Sequence, residues 1–191
     1  GDWDGDGDDD PGVYRAPLQT VHLRQDDGSV LEYMLGDPGD VPLVGDWDGD
    51  GRDTVSIYRP STQVFHVFDA HGGAAGRSFV FGDPGDRPFA GDLDGDGIDE
   101  VGLHRATTGR VYFRETLDTG IADHDFVFGN PGDVLLAGDW DGDGTDTLAV
   151  YRPSIGVWYL KLTNGSGIAD HVFWFTDSGR AYPLVVRRSV A

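Results

Sequence analysis

Four stretches of this chain set carboxylates on alternate residues between glycines. GDWDGDG stands at 1–7, 45–51 and 138–144, and GDLDGDG at 91–97. Counting from the first aspartate of each stretch, positions 1, 3 and 5 are Asp2, Asp4 and Asp6; Asp46, Asp48 and Asp50; Asp92, Asp94 and Asp96; and Asp139, Asp141 and Asp143. Position 6 is always glycine. Alternating carboxylates before a glycine suit a hard cation: the glycine permits a sharp turn, so oxygen ligands converge on one point. Oxygen-only ligands on a flexible loop favour Ca²⁺ over Zn²⁺, Cu²⁺ or Mg²⁺.

An EF-hand would carry a bidentate Glu at position 12, but Val13, Ile57, Leu103 and Val150 stand there. The loop must therefore finish earlier. Position 8 is Asp9, Asp53, Asp99 and Asp146; position 9 is Asp10, Thr54, Glu100 and Thr147. A carboxylate from position 8 or 9 is expected as the last side-chain ligand, with the position 7 carbonyl beside it. The four loops hold 19 of the 34 acidic residues. Carboxylates this close repel one another unless a cation intervenes. About four Ca²⁺ per chain are expected.

The elements that hold these loops repeat with them. Successive loops start 44, 46 and 47 residues apart, at Asp2, Asp46, Asp92 and Asp139. Each is followed by VYR, IYR, LHR or VYR (13–15, 57–59, 103–105, 150–152). Each next loop is preceded by LGDPGD (35–40), FGDPGD (81–86), FGNPGD (128–133) or the degraded FTDSGR (175–180). Between these landmarks run short β-branched and aromatic segments bounded by Gly, Pro, Asp and Asn, four per repeat. A period near 45 with four strands is that of a propeller blade. The expectation is one all-β domain, a β-propeller of four four-stranded blades over repeats of about 1–44, 45–90, 91–137 and 138–191. Its first blade lacks an opening strand, and YPLVV (182–186) resembles VPLVG (41–45), so the C-terminal strand is expected to close the ring. Part of a larger propeller, or a ring shared between chains, is the alternative; monomer and ring-sharing oligomer both stay open.

GDWDGDG followed by a strand ending YRP resembles the FG-GAP/VCBS repeats of calcium-binding β-propellers, a group that includes the integrin α-subunit head. The resemblance spans essentially the whole chain. It implies one calcium per loop, held by the twelve aspartates at positions 1, 3 and 5 with a closing residue. In that family the closing carboxylate more usually stands at position 9, where two copies here have Thr54 and Thr147.

Composition narrows the function classes. A formal net charge of −20 repels phosphate backbones, so no nucleic-acid partner is expected. With 38% hydrophobic and 12% aromatic residues the chain is too apolar for a solvated tail. It has no cysteine, hence no disulfide and no thiolate metal site. No apolar run approaches the roughly 18 residues of a membrane span, so no membrane insertion is expected. The chain opens inside a repeat, which leaves room for a leader or further domains upstream. Reliance on calcium points to a secreted or cell-surface protein, where the ion is abundant.

Other residues carry less chemistry. Trp3, Trp47 and Trp140 share loop position 2 with Leu93, which marks packing. Trp158 and Trp174 either fill the last blade's core or, if exposed, offer a sugar-stacking platform. Tyr112 and Tyr159, with His22 and His66 at the matching strand position, alternate with apolar neighbours and either line a shallow ligand surface or form a solvated face. Arg15, Arg59, Arg105 and Arg152 are expected to pair with the acidic turns or loops, although a further cation at the DPGD turns is a second reading. No catalytic constellation is present: no nucleophile elbow, zinc-protease helix or phosphate loop. The expected function is therefore a non-catalytic, calcium-stabilised recognition module for glycans or protein partners, with room for an accessory role in a larger secreted protein. A structural or adhesive spacer and a polysaccharide-acting hydrolase or lyase are the alternatives.

Overall fold

The structure, a computed structural model, describes residues 1–174. It is a four-bladed β-propeller, and no helix occurs among the described residues. The first blade contains β1 (Gly12–Arg15), β2 (Thr20–Arg24) and β3 (Val30–Met34). The second contains β4 (Val41–Gly45), β5 (Thr54–Arg59), β6 (Val64–Val67) and β7 (Arg77–Val80). The third contains β8 (Arg87–Gly91), β9 (Glu100–Arg105), β10 (Arg110–Arg114) and β11 (His124–Val127). The fourth contains β12 (Val134–Gly138), β13 (Thr147–Arg152), β14 (Val157–Leu160) and β15 (His171–Trp174). Each sheet is an antiparallel meander. The closing strand expected at 182–186 lies outside the described residues.

The period-2 pattern of these strands puts one face of each blade against the next blade. Register fixes what meets what. On the innermost strands Leu43 lies opposite Ser56, Phe89 opposite Gly102 and Leu136 opposite Ala149. A large inner side chain thus sits over a small one each time. At Gly102 the need is absolute, since a Cβ there would meet the Phe89 ring at 2.0 Å.

The core consists of layers between blades. One joins Trp3, Val21, Leu23 and Leu35 of the first blade to Val55 and Ile57 of the second. The next joins Trp47, Tyr58, Phe65 and Phe79 to Val101 and Leu103 of the third. The third joins Phe89, Leu93, Val111 and Phe113 to Leu148 and Val150 of the fourth. Every layer is one blade's apolar face capped by two residues from the second strand of its successor. Burying such side chains contributes about 1.5–3 kcal/mol each.

On the opposite end from the acidic loops, the recurrent arginines close the blade-to-blade turns. Arg59 Nε and Nη2 donate to both oxygens of Asp40 at 2.9 and 2.8 Å, and Nη2 pairs with Asp37 at 2.6 Å. Arg105 grips Asp86 and Asp83 in the same way, and Arg152 grips Asp133. The guanidinium therefore fills the place that an additional cation at the DPGD turns would have needed. The degraded copy of these turns, FTDSGR (175–180), lies outside the described residues. Burial pushes the Asp40 carboxyl up, but the Arg59 hydrogen bonds, the Asp37 N–H and the guanidinium charge outweigh it and hold the group below its ordinary value. Replacing Arg59 with Met strands that carboxylate, whose side chain is 2% exposed. The variant should lose about 3 kcal/mol in urea unfolding, whereas Arg110→Met, at the exposed Asp125 pair, should lose about 1 kcal/mol or less.

Candidate metal centres

Each acidic loop connects the first two strands of a blade, or their equivalent before β1, and folds around its own first aspartate. In the second loop Asp46 Oδ1 accepts the N–H groups of Gly49 and Asp50 at 2.8 and 3.2 Å, and Oδ2 accepts that of Gly51 at 2.8 Å. Asp50 Oδ1 accepts the Arg52 N–H at 2.9 Å. Asp2, Asp92 and Asp139 make the same three acceptances from positions 4, 5 and 6. The cradle requires left-handed backbone at positions 4 and 6, as at Gly49 (φ 74°) and Gly51 (φ 86°).

This winding brings carboxylate oxygens of positions 1, 3 and 5 within 4.8 Å of one another in all four loops: Asp2, Asp4 and Asp6; Asp46, Asp48 and Asp50; Asp92, Asp94 and Asp96; Asp139, Asp141 and Asp143. The donor set fits a hard divalent cation held by carboxylates. In the first loop Asp4 Oδ1 is buried without a hydrogen-bond partner, an acceptor a cation would satisfy. Desolvation, then the neighbouring Asp50 charge, raises the Asp48 carboxyl above its ordinary value.

The position 8 and 9 residues also make contacts outside these triads. Asp53 Oδ2 accepts the N–H of Asp2, in the preceding blade, at 3.0 Å, while the Asp53 N–H donates to the Asp2 carbonyl at 2.7 Å. Asp99 holds Asp46 through both contacts, and Asp146 holds Asp92. Asp9, Asp53, Asp99 and Asp146 all lie outside the converging triads. Position 9 contributes its carbonyl: Asp10, Thr54 and Thr147 accept the indole N–H of Trp3, Trp47 and Trp140 at 3.0, 3.3 and 2.9 Å. Where Leu93 replaces the indole, Glu100 is buried and its Oε2 accepts the Leu93 N–H at 2.7 Å. Burial pushes Glu100 up to about 8, helped by the charges of Asp94, Asp92 and Asp96 and opposed by that hydrogen bond.

Sequence spacing did not reveal two participants. Asp26, on the turn between β2 and β3, joins Asp4 and Asp10 in a further group of close carboxylates. A hydrogen bond with Asp6 and the charges of Asp6, Asp10 and Asp4 push it up to about 6. Asn164, after β14, donates to the carbonyls of Leu93 and Asp146 and ties the fourth blade to the third loop. Neither belongs to the repeated motif, so only the hairpin geometry exposes them.

The aromatic candidates separate. Tyr112 packs against the layer behind it and carries the Arg105 guanidinium 4.9 Å from its ring centre; Tyr159 is likewise covered by Arg152 at 4.6 Å. Trp158 stacks on Phe173, with ring centres 6.3 Å apart and planes 7° apart. Trp174 alone among these four is open, 74% exposed at the outer edge of the fourth blade. His124 pairs with Glu115 at 2.7 Å and His22 with Glu32 at 3.4 Å, both on blade surfaces. His104 is buried and pushed down to about 4 by desolvation.

No family model matches the chain. No curated protein matches it either. Among solved structures it is similar to virginiamycin B lyase from Staphylococcus aureus, in selenomethionine-substituted form, with 15% identity, a TM-score of 0.49 and coverage of 82% of this chain and 49% of the other. It is also similar to a catalytically inactive variant of virginiamycin B lyase from Staphylococcus aureus with quinupristin, with 14% identity, a TM-score of 0.53 and coverage of 88% and 53%. This chain spans about half the length of both, and at such identity the second likeness concerns the propeller fold alone.

Two outcomes follow from the geometry. Asp99→Ala removes the acceptor for the Asp46 N–H and should cost about 1–3 kcal/mol in urea unfolding, with Asp99→Asn costing less because an oxygen remains. A Glu100 carboxyl raised from 4.5 to about 8 stabilises the fold while protonated, fully below pH 4.5 and progressively less as pH rises through 8. In chelator, thermal stability should therefore fall across that window, and Glu100→Gln should flatten the fall.

Proposed function

We propose that this chain is a calcium-stabilised propeller of FG-GAP/VCBS type, serving as a non-catalytic extracellular recognition module. The observation that carries this reading is fourfold: the same three carboxylates, in the same N–H cradle, recur in every loop. Asp2, Asp4 and Asp6 and their three counterpart sets would hold the ions. A bound Ca²⁺ supplies charge that relieves repulsion among the carboxylates and fastens the first two strands of each blade. At free ion about 100 times the Kd, each site adds roughly 2.7 kcal/mol. Several such terms match the whole stability of an ordinary domain. Millimolar extracellular calcium is the setting in which modest loops stay loaded.

Glycans or protein surfaces are the proposed ligands. The exposed indole of Trp174 supports this, because an amphipathic ring open to solvent is a stacking face for a sugar or an anchor for a protein. The covered rings of Tyr112 and Tyr159 support it less. A spacer without a ligand of its own is the second reading, favoured by the near-equivalence of the blades.

Metal content by mass spectrometry should give about four calcium ions per folded chain, and Asp48→Asn should remove one. Chelation should lower the melting temperature steeply, and added calcium should restore it. An unchanged melting curve in chelator rejects the calcium reading. A glycan array in calcium, with Trp174→Ala as control, separates a recognition module from a spacer.

A further inference from the structure

Neighbouring acidic loops touch one another through position 7, which is Arg52, Ile98 and Thr145 in the second, third and fourth loops. Each of these residues donates its N–H to the position 5 aspartate of its own loop, at 2.9 Å to Oδ1 of Asp50, Asp96 and Asp143 respectively. The side chain lies instead on the loop before, over the position 4 glycine. A Cβ added at Gly5 would stand 2.9 Å from Arg52 Cγ, at Gly49 3.1 Å from Ile98 Cγ1, and at Gly95 2.8 Å from Thr145 Oγ1. Those glycines stand between the position 3 and position 5 aspartates, and their N–H groups donate to the position 1 carboxylate at 2.7, 2.8 and 2.8 Å. One residue thus touches two carboxylate triads. Its side chain is a guanidinium stem, an aliphatic branch and a hydroxyl in the three copies, so what recurs is the contact and not its charge.

We propose, resting on the calcium reading above, that position 7 couples neighbouring loops, so that calcium entering one raises the affinity of the next. An ion held by Asp46, Asp48 and Asp50 fixes Gly49, and Gly49 is the seat of Ile98. Fixing Ile98 orders the N–H that meets Asp96. Part of the ordering that the third loop needs is then complete before its own ion arrives. The position 8 contacts run between the same two loops, since Asp99 meets both the N–H and the carbonyl of Asp46. Charge acts in the opposite sense, because one cation weakens the field that draws the next. That field is screened over about 8 Å at physiological salt, whereas a direct contact is not. Coupling of this kind is reciprocal, so filling the third loop favours the second by the same factor.

Calcium binding by equilibrium dialysis at physiological salt tests this. Sucrose is added, at a temperature where circular dichroism shows the chain folded with and without the ion, so that folding does not feign coupling. Asp48→Asn removes the second ion and should weaken binding of the remaining ions about fivefold or more. Ile98→Ala keeps every carboxylate, charge and carbonyl. Alone it should give a shallower binding curve with the same saturation, and combined with Asp48→Asn it should shrink the effect of the lost ion. Ile121→Ala, at an 86% exposed site on the β10–β11 hairpin, should change neither. Remaining ions of unaltered affinity in Asp48→Asn would refute the coupling and leave the calcium sites standing. An effect of equal size with and without the Ile98 side chain would refute position 7 as its route. A folded, unaltered chain that binds no calcium removes the sites and the coupling together.

Discussion

The position 8 carboxylates reach backwards. Each lies three residues past the last aspartate of its own acidic triad, yet Asp53, Asp99 and Asp146 accept their hydrogen bonds from the first aspartate of the blade before. An amide at the mouth of one loop is thereby satisfied by a side chain from the next blade. Packing between blades is apolar and its driving force non-directional, whereas these bonds are directional. The glycines before each loop belong to the same constraint: at Gly45 an added Cβ would stand 2.7 Å from Asp99 Oδ2, and at Gly91 2.6 Å from Asp146 Oδ2.

That arrangement joins the loops to the layers. Since the first aspartate of every loop organises the N–H cradle with its side chain and meets the next blade with its backbone, loop shape and blade angle are parts of one structure. Relief of carboxylate repulsion in a loop therefore acts on an interface as well as on a turn. The Arg–Asp pairs at the other end need no such help, because each turn carboxylate already has its own guanidinium.

Much of this could be read from the residues in order. Four strands per period, the role of the tryptophans at loop position 2 and the pairing of arginines with DPGD turns all follow from local pattern. The direction of Asp53 did not, because its partner lies 51 residues earlier and no local rule connects them. Asp26 and Asn164 were invisible for a related reason: they stand on hairpins that vary between blades. Tyr112 and Tyr159 alternate correctly with apolar neighbours, but alternation tells only which face a ring occupies. Whether that face meets solvent or another blade, and whether a guanidinium covers the ring, depends on the assembled layers.

The meander places all four acidic loops at one end of the disc and the turns gripped by Arg59, Arg105 and Arg152 at the other. One end thus exports a field while the other cancels its charges internally. Such a body is electrically polar along its axis. A cationic object would be turned towards the acidic rim before touching it, over a range of about 8 Å at physiological salt and about 30 Å in dilute buffer.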